Sequence, residues 1–261
     1  MQLIYRKNAI EKILTEEKTV SNDNKRTGGK KNQPCIHVSK DGPYLVSGFV
    51  PISVQTIIAD EKGTAYEWKE EKKYPPKTKY ALCRCGQSSN RPFCDGTHFK
   101  VTFDGTESPA KGSWIERAKI FSGPTLVLSD VEDLCASARF CHRAGGIWNL
   151  IPKTDNEEKR KIVIEEVRDC PSGRLMLQDR VTYKQIEPPY SPSIGIIEDP
   201  QVGVRGPIWV RGKIPIESCN GKLYEIRNRV TLCRCGKSSN KPFCDSSHYP
   251  EAENVEKVHD E

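Results

Sequence analysis

The sequence predicts an α+β fold in which two small β-rich units flank a small α+β insert. The first observation is a sixteen-residue pattern of three cysteines and one histidine, which occurs at residues 83–98 and again at 233–248. The second is a short segment of strand-like composition before each copy. The third is that the residues between the copies carry helix-capping and hairpin signatures instead.

The two β-rich units are copies of one repeat. GPYLVSGFVPI at 42–52 matches GPIWVRGKIPI at 206–216, and each segment precedes one copy of the cysteine pattern. Both are rich in Val and Ile and are bounded by Gly and Pro, which is typical of short strands. The distance from Gly48 to Cys83 exceeds the distance from Gly212 to Cys233 by 14 residues. We assign this insertion to the charged stretch EWKEEKKYPPKTK in the first unit.

The segment between the units predicts helices and a hairpin. A capping-box pair, Ser129 and Glu132, predicts a helix that runs through Leu134, Ala138 and Cys141. A second pair, Asp155 and Glu158, predicts a helix whose apolar face is formed by Ile162, Val163 and Val167. RLMLQD and VTYKQIE then predict a β-hairpin.

These signals divide the chain into five parts. They are an N-terminal helix with a flexible linker (1–32), the first β-rich unit (33–100), the α+β middle domain (101–190), the second unit (191–249) and a disordered tail (250–261).

Composition narrows the functional classes. The chain has 41 basic and 35 acidic residues, and the basic ones are scattered and do not alternate with aromatics, which argues against a nucleic-acid partner. We find no long apolar run and no export signal, so we expect a cytoplasmic protein without a membrane partner. Eleven cysteines in such a chain favour thiols that bind metal over disulfides.

The repeated loop has the donor set of a metal centre. Its spacing, Cys-x-Cys-x8-Cys-x3-His, places three thiolates and an imidazole within sixteen residues. Zinc would accept this set as a structural knuckle, and a two-iron cluster would accept it as well. The short Cys-x-Cys spacing favours the wider two-iron core. The predicted ligands are Cys83, Cys85, Cys94 and His98 in the first loop and Cys233, Cys235, Cys244 and His248 in the second.

Both loops resemble the CDGSH iron-sulfur domain, Cys-x-Cys-x2-Ser/Thr-x3-Pro-x-Cys-Asp-Gly-Ser/Ala/Thr-His. The first copy fits this pattern throughout, and the second departs only at Ser246, where the family has Gly. If this position needs a positive φ, serine costs about 1 kcal/mol there and makes the second cluster more labile.

The resemblance implies a 2Fe-2S cluster in each loop. Cys83 and Cys85 would hold one iron, and Cys94 and His98 the other. Asp95 and its counterpart Asp245 would support a ligand or cap the loop, or form simple Asx turns. Family members with one motif form symmetric dimers, so we expect a monomer in which the tandem chain builds the pair of clusters internally.

Three cysteines of the middle segment admit two interpretations. Cys135, Cys141 and Cys170, the last followed by Pro171, resemble the pattern of monocluster bacterial ferredoxins, which bind a 3Fe-4S or 4Fe-4S cluster. The ferredoxin-like insert has Ala138 at the central cysteine position, and His142 is a conceivable fourth ligand. The alternative is a cluster-free domain, because the spacing of these residues also suits buried cysteines on a helix.

The leading functional hypothesis is electron transfer or cluster storage and transfer. The alternatives are a zinc-binding interaction module and the redox subunit of an oxidoreductase complex. No nucleotide-cofactor or catalytic motif is present in the sequence, so we do not expect an enzyme. Basic residues beside the motifs suit an acidic redox partner such as a flavodoxin, and plain solubility explains them equally well; they are Arg84, Arg91, Arg234, Lys237 and Lys241.

Overall fold

The computed structural model describes residues 33–249, and the predicted N-terminal helix, linker and C-terminal tail lie outside the described residues. The predicted α+β class is confirmed, with three β-sheets and one helix longer than a single turn among the described residues. None of the helices within 33–249 has the length and apolar character needed to cross a bilayer.

The two β-rich units build two sheets. The first sheet contains, in spatial order, β12 (Ile216–Glu217), β1 (Cys35–Val38), β2 (Tyr44–Ser47) and β5 (Lys79–Leu82). The second contains β13 (Arg229–Leu232), β11 (Val204–Arg211), β10 (Ser193–Asp199), β3 (Ile52–Ala59) and β4 (Ala65–Lys73).

Each unit contributes a strand to the sheet of the other. β12 of the second unit pairs in parallel with β1 of the first, with Ile216 opposite Ile36. Reciprocally, β3 of the first unit pairs in parallel with β10 of the second, with Ile52 opposite Ile194. The two repeats are therefore interlocked, although the sequence places them far apart.

One hydrophobic core serves both repeats. Its buried side chains come from strands of both units, and Tyr44 in the first unit is fully buried against it. The Tyr44 hydroxyl donates to the carbonyl oxygens of Cys233 at 2.7 Å and Pro242 at 3.0 Å. Both residues belong to the second metal loop, which is the copy of the cysteine pattern at residues 233–248. The first unit thus supports the metal loop of the second.

The predicted insertion forms an edge strand. β4 follows β3 in a hairpin, and most of its side chains are exposed and charged. Charged side chains are typical of a sheet edge because they oppose pairing with another chain.

The middle domain has its own four-stranded antiparallel sheet. Its strands, in spatial and chain order, are β6 (Lys119–Ser122), β7 (Leu126–Asp130), β8 (Leu175–Asp179) and β9 (Gln185–Ile186). Two short helices, α1 (Trp114–Arg117) and α2 (Ile147–Leu150), accompany the longer α3 (Glu157–Asp169). The predicted hairpin is confirmed as β8 and β9.

The second predicted helix of the middle domain is confirmed as α3. Its N-cap is Asn156, one residue beyond the predicted Asp155, and the Asn156 side chain accepts a hydrogen bond from Lys159 N at 3.1 Å. Val163 and Val167 are fully buried against the sheet, and Ile162 is partly buried beside them.

The first predicted helix is wrong. Ser129 lies in β7, where pairing with β6 and β8 overrides the capping-box signature. Two 3-10 segments follow instead, Glu132–Leu134 and Phe140–Gly145, and the chain at Cys135 is extended. Ser137 and Arg139, between them, adopt left-handed φ values of 51° and 62°. Cys135 therefore lies in a loop, and Cys141 lies in the 3-10 segment that follows it.

Candidate metal centres

Each repeated loop leaves the last strand of its unit and is fastened back to it. Cys83 N donates to Pro92 O at 2.8 Å, and Cys233 N donates to Pro242 O at 2.9 Å. The motif serine closes each loop internally, as Ser88 Oγ does by donating to Phe93 O at 2.6 Å. The residues between the second and third cysteines therefore form a turn that brings the third cysteine back towards the first two.

The predicted ligands come together in pairs. In the first loop, the sulfurs of Cys83 and Cys85 lie 3.8 Å apart, and Cys94 Sγ lies 3.4 Å from His98 Nδ1. The second loop repeats both pairs. Its Cys233 and Cys235 sulfurs are 3.6 Å apart, and Cys244 Sγ is 3.5 Å from His248 Nδ1.

These separations suit two donors on one tetrahedral metal ion. Two thiolates at about 2.3 Å from an ion lie about 3.8 Å apart, and a thiolate and an imidazole lie about 3.5 Å apart. Within residues 33–249, however, no three His, Cys, Asp or Glu side chains converge on a single-ion site. The donors of each loop are thus arranged as two pairs.

Asp95 and Asp245 stabilise the loops rather than the ligands directly. Asp95 Oδ2 accepts from Ser89 N at 2.8 Å and Ser89 Oγ at 2.7 Å, while Oδ1 accepts from Thr97 N at 3.0 Å. Asp245 makes the corresponding bonds with Ser239 and Ser247. Hydrogen bonds from Thr97 and Ser89 hold the pKa of Asp95 well below its usual range. Asp95 thus makes both predicted kinds of interaction: one carboxylate oxygen bonds across the loop to Ser89, and the other forms an Asx turn with Thr97.

Two of the basic residues predicted to face a partner are buried instead. Arg84 donates to Gly105 O at 2.7 Å and Ser39 O at 3.3 Å. Arg234 donates to Gly206 O and Ile197 O and pairs with Glu198 at 2.9 Å. Their guanidinium groups tie each loop to the body of the protein, so neither reaches a partner. Arg91 is exposed, as expected of a docking residue.

The two metal loops touch each other through their backbones. A β-carbon added at Gly86 would lie 2.7 Å from the carbonyl oxygen of Cys235, and one added at Gly236 would lie 2.9 Å from that of Cys85. Both glycines have positive φ values, 76° and 80°. The motif glycine after the second cysteine therefore allows each loop to approach the ligand segment of the other.

The second loop is electrostatically suited to a neutral imidazole ligand. Burial, with the nearby Arg234 guanidinium adding to it, lowers the pKa of His248 to about 4. The neutral ring is the form that binds a metal. Burial also raises the pKa of Cys244 strongly, so this thiol needs a bound cation to be held as a thiolate.

The three middle cysteines surround one small cavity. Cys135, Cys141 and Cys170 all line a cavity of about 160 Å³, which His142 and Arg174 also line. Burial, with smaller contributions from Cys170 and Cys135, raises the pKa of the Cys141 thiol to about 12. Three soft thiols around one cavity fit an iron-sulfur cluster.

Ala138, at the central cysteine position of the ferredoxin-like pattern, has a structural role. Ala138 is buried and packs in a cluster with Phe140 and Trp209, against the second sheet. His142, the conceivable fourth ligand, lines the cavity but is exposed. The cavity is therefore lined by three cysteines, with a histidine at its rim.

Sequence reasoning missed the contacts of Ser246. Its φ is 73°, so the expectation of a left-handed position is met. Its hydroxyl lies 2.9 Å from Cys135 O and 2.8 Å from Ser137 Oγ. Both residues belong to the segment 135–141 of the middle domain, which we call the middle loop. The departure of the second motif from the glycine pattern was the only available signal.

Comparison with protein families agrees with this arrangement. Residues 41–99 and 205–249 match the model described as iron-binding zinc finger CDGSH type. Residues 121–180 match the model described as divergent 4Fe-4S mono-cluster. No curated protein and no solved structure matches the chain.

Proposed function

We propose that this iron-sulfur protein, with two CDGSH-type domains around a divergent 4Fe-4S mono-cluster domain, carries electrons through two 2Fe-2S clusters and a third, middle cluster. The observation that carries the proposal is the pairing of the loop donors, with two pairs per loop at separations suited to two irons. A bound 2Fe-2S cluster supplies a one-electron carrier.

The ligand types set the electron affinity of each loop. Replacing one thiolate by a neutral imidazole removes a negative charge, which makes the reduced state easier to reach. Backbone N–H groups add to this, since Gly96 N lies 3.5 Å from Cys94 Sγ and Lys237 N lies 3.5 Å from Cys235 Sγ. Both features favour electron uptake over a purely structural role for the loops.

The interlocked repeats support a monomer. The strand exchange and the shared core join the two loops within one chain, as a symmetric dimer would join two chains. Contact between Gly86 and Cys235 further supports an internal pair of clusters.

The first loop is the better place for a redox partner to dock. Phe99, next to the ligand His98, is 84% exposed, and its ring lies 4.1 Å from the His98 ring. The next residue, Lys100, is exposed and basic, as is Arg91 earlier in the same loop, whose guanidinium donates to Gly86 O. An acidic protein with an apolar contact would suit this surface, and its association should weaken as salt concentration rises. Any catalysis would belong to that partner.

Iron and sulfide analysis tests the proposal. Anaerobically purified protein should be red-brown, with visible absorption that bleaches on reduction. Cys135→Ala should lower the iron content to about four per chain, two in each loop. A colourless protein that contains zinc would overturn the proposal, and four irons both before and after the substitution would remove the middle cluster alone.

Substituting His98 tests its role as a ligand. His98→Cys adds a negative charge at the first loop and should lower the midpoint potential of that cluster by on the order of 100 mV or more. The cluster should also become less sensitive to acid, because the variant has no imidazole to protonate. Redox titration followed by electron paramagnetic resonance measures the potential. His37→Cys, on β1, is the control, and an unchanged potential in His98→Cys would show that His98 is not a ligand.

A further inference from the structure

Ser246 connects two metal loops that belong to different domains. It lies two residues after the ligand Cys244, and its hydroxyl is 2.9 Å from the carbonyl oxygen of Cys135, a ligand of the middle site. The same hydroxyl is 2.8 Å from Ser137 Oγ. A single hydrogen bond, from the Ser246 side chain to the Cys135 carbonyl, thus links the two chain segments that carry the two ligand sets.

The equivalent residue of the first loop makes no such connection. Gly96 has a similar φ of 85°, and a β-carbon there would have no atom within 4 Å. Serine at a left-handed position is less stable than glycine, so the bonds of Ser246 offset a local cost. The difference between the repeats thus lies at a place where the middle domain contacts the second loop.

A second contact joins the same two loops. The Arg139 guanidinium, in the middle loop, lies over the Tyr249 ring at 5.7 Å from its centroid and pairs with the buried carboxylate of Asp199. Tyr249 directly follows the ligand His248. The contacts of Ser246 and Arg139 therefore hold the middle loop against the Cys244–Tyr249 segment at two points.

We propose that Ser246 is a positioning residue that couples the second Cys3His site to the three-cysteine site, so that each retains its iron better when the other is filled. This inference rests on the proposed function, because both sites must bind iron. Coupling of this kind is reciprocal: whatever the middle cluster contributes to retention at the second loop, the second cluster contributes to retention at the middle loop. The first loop has no counterpart of the Ser246 contacts, because a β-carbon at Gly96 would have no atom within 4 Å.

A substitution cycle in the full-length chain tests the coupling. Ser246→Ala removes the hydroxyl but keeps the β-carbon at the left-handed position, and Ser137→Ala removes one partner without altering the second loop. Cluster loss to an iron chelator at neutral pH is followed by electron paramagnetic resonance. A Cys83→Ala background leaves the second loop as the source of any 2Fe-2S signal.

We expect Ser246→Ala to speed cluster loss from the second loop about fivefold, the equivalent of about 1 kcal/mol for one hydrogen bond. In a chain that also carries Cys135→Ala, which empties the middle site, Ser246→Ala should add less than twofold. Gly96→Ser, which adds a hydroxyl without a partner, is the control and should leave middle-cluster loss unchanged.

Two results would overturn the coupling. One is an unchanged rate of loss in both Ser246→Ala and Ser137→Ala; the other is an equal effect of Ser246→Ala with and without the middle cluster. Either result, obtained with iron and sulfide present, leaves the proposed function intact. Absence of iron from the wild-type chain would instead overturn the proposed function itself.

Discussion

Gly86→Ala should separate the two repeated metal loops and labilise both of their clusters. The new β-carbon would lie 2.7 Å from the carbonyl oxygen of Cys235, closer than real contacts allow, and that oxygen is backbone that cannot rotate away. The left-handed φ of 76° adds about 1–2 kcal/mol, and overpacking adds about 1–3 kcal/mol. We expect the free energy of unfolding to fall by several kcal/mol.

Gly96→Ala separates the two causes of that loss. Gly96 has a φ of 85° in the same loop, but open space where its β-carbon would lie. Its substitution should therefore cost only the 1–2 kcal/mol of backbone strain, roughly the usual value for a left-handed alanine. Denaturant unfolding and chelator-driven loss of visible absorption measure both variants. Equal effects of Gly86→Ala and Gly96→Ala would show that the contact between the loops contributes nothing.

The set of ligands followed from spacing because the loop is local, whereas their pairing came from the family resemblance. All four donors lie within sixteen residues, so short-range turns decide their arrangement, and the repeat doubles the signal. The exchange of β3 and β12 between units could not be predicted in this way. Strand composition indicates where a strand lies, but its partner is set by burial against side chains more than a hundred residues away, as with Ile36 and Ile216.

The middle domain shows where local signals fail. Ser129 and Glu132 satisfy a capping box, yet pairing on both sides of β7 places Ser129 in a sheet. The helical spacing of Cys135, Ala138 and Cys141 was also misleading, since a loop with left-handed residues brings the cysteines to one cavity. Ser246 was visible as a departure from pattern, but only the folded chain places it against Cys135.

Glu166→Gln should stabilise the protein at alkaline pH. Glu166 is fully buried on α3, and within the described residues neither of its carboxyl oxygens has a hydrogen-bond partner. Burial raises its pKa to about 8, against smaller opposite influences of the Arg143 guanidinium, which pairs with Asp169 at 2.7 Å, and of the Arg143 backbone N–H. A buried carboxylate that its neighbours do not compensate disfavours the folded state, whereas a neutral amide of the same shape does not carry this charge.

The direction of the pH dependence follows from proton binding. Between the ordinary pKa of 4.5 and about 8, the folded state holds a proton on Glu166 that the unfolded state has lost. Stability therefore falls as pH rises through this range, and the full cost is present above about pH 8. Each pKa unit corresponds to about 1.4 kcal/mol, so Glu166→Gln should gain a few kcal/mol over the wild type at pH 9 and little at pH 5. Denaturant unfolding at both pH values measures the difference, with the exposed Glu165→Gln as control. A gain of the same size at pH 5 and pH 9 would show that ionisation of Glu166 does not limit stability.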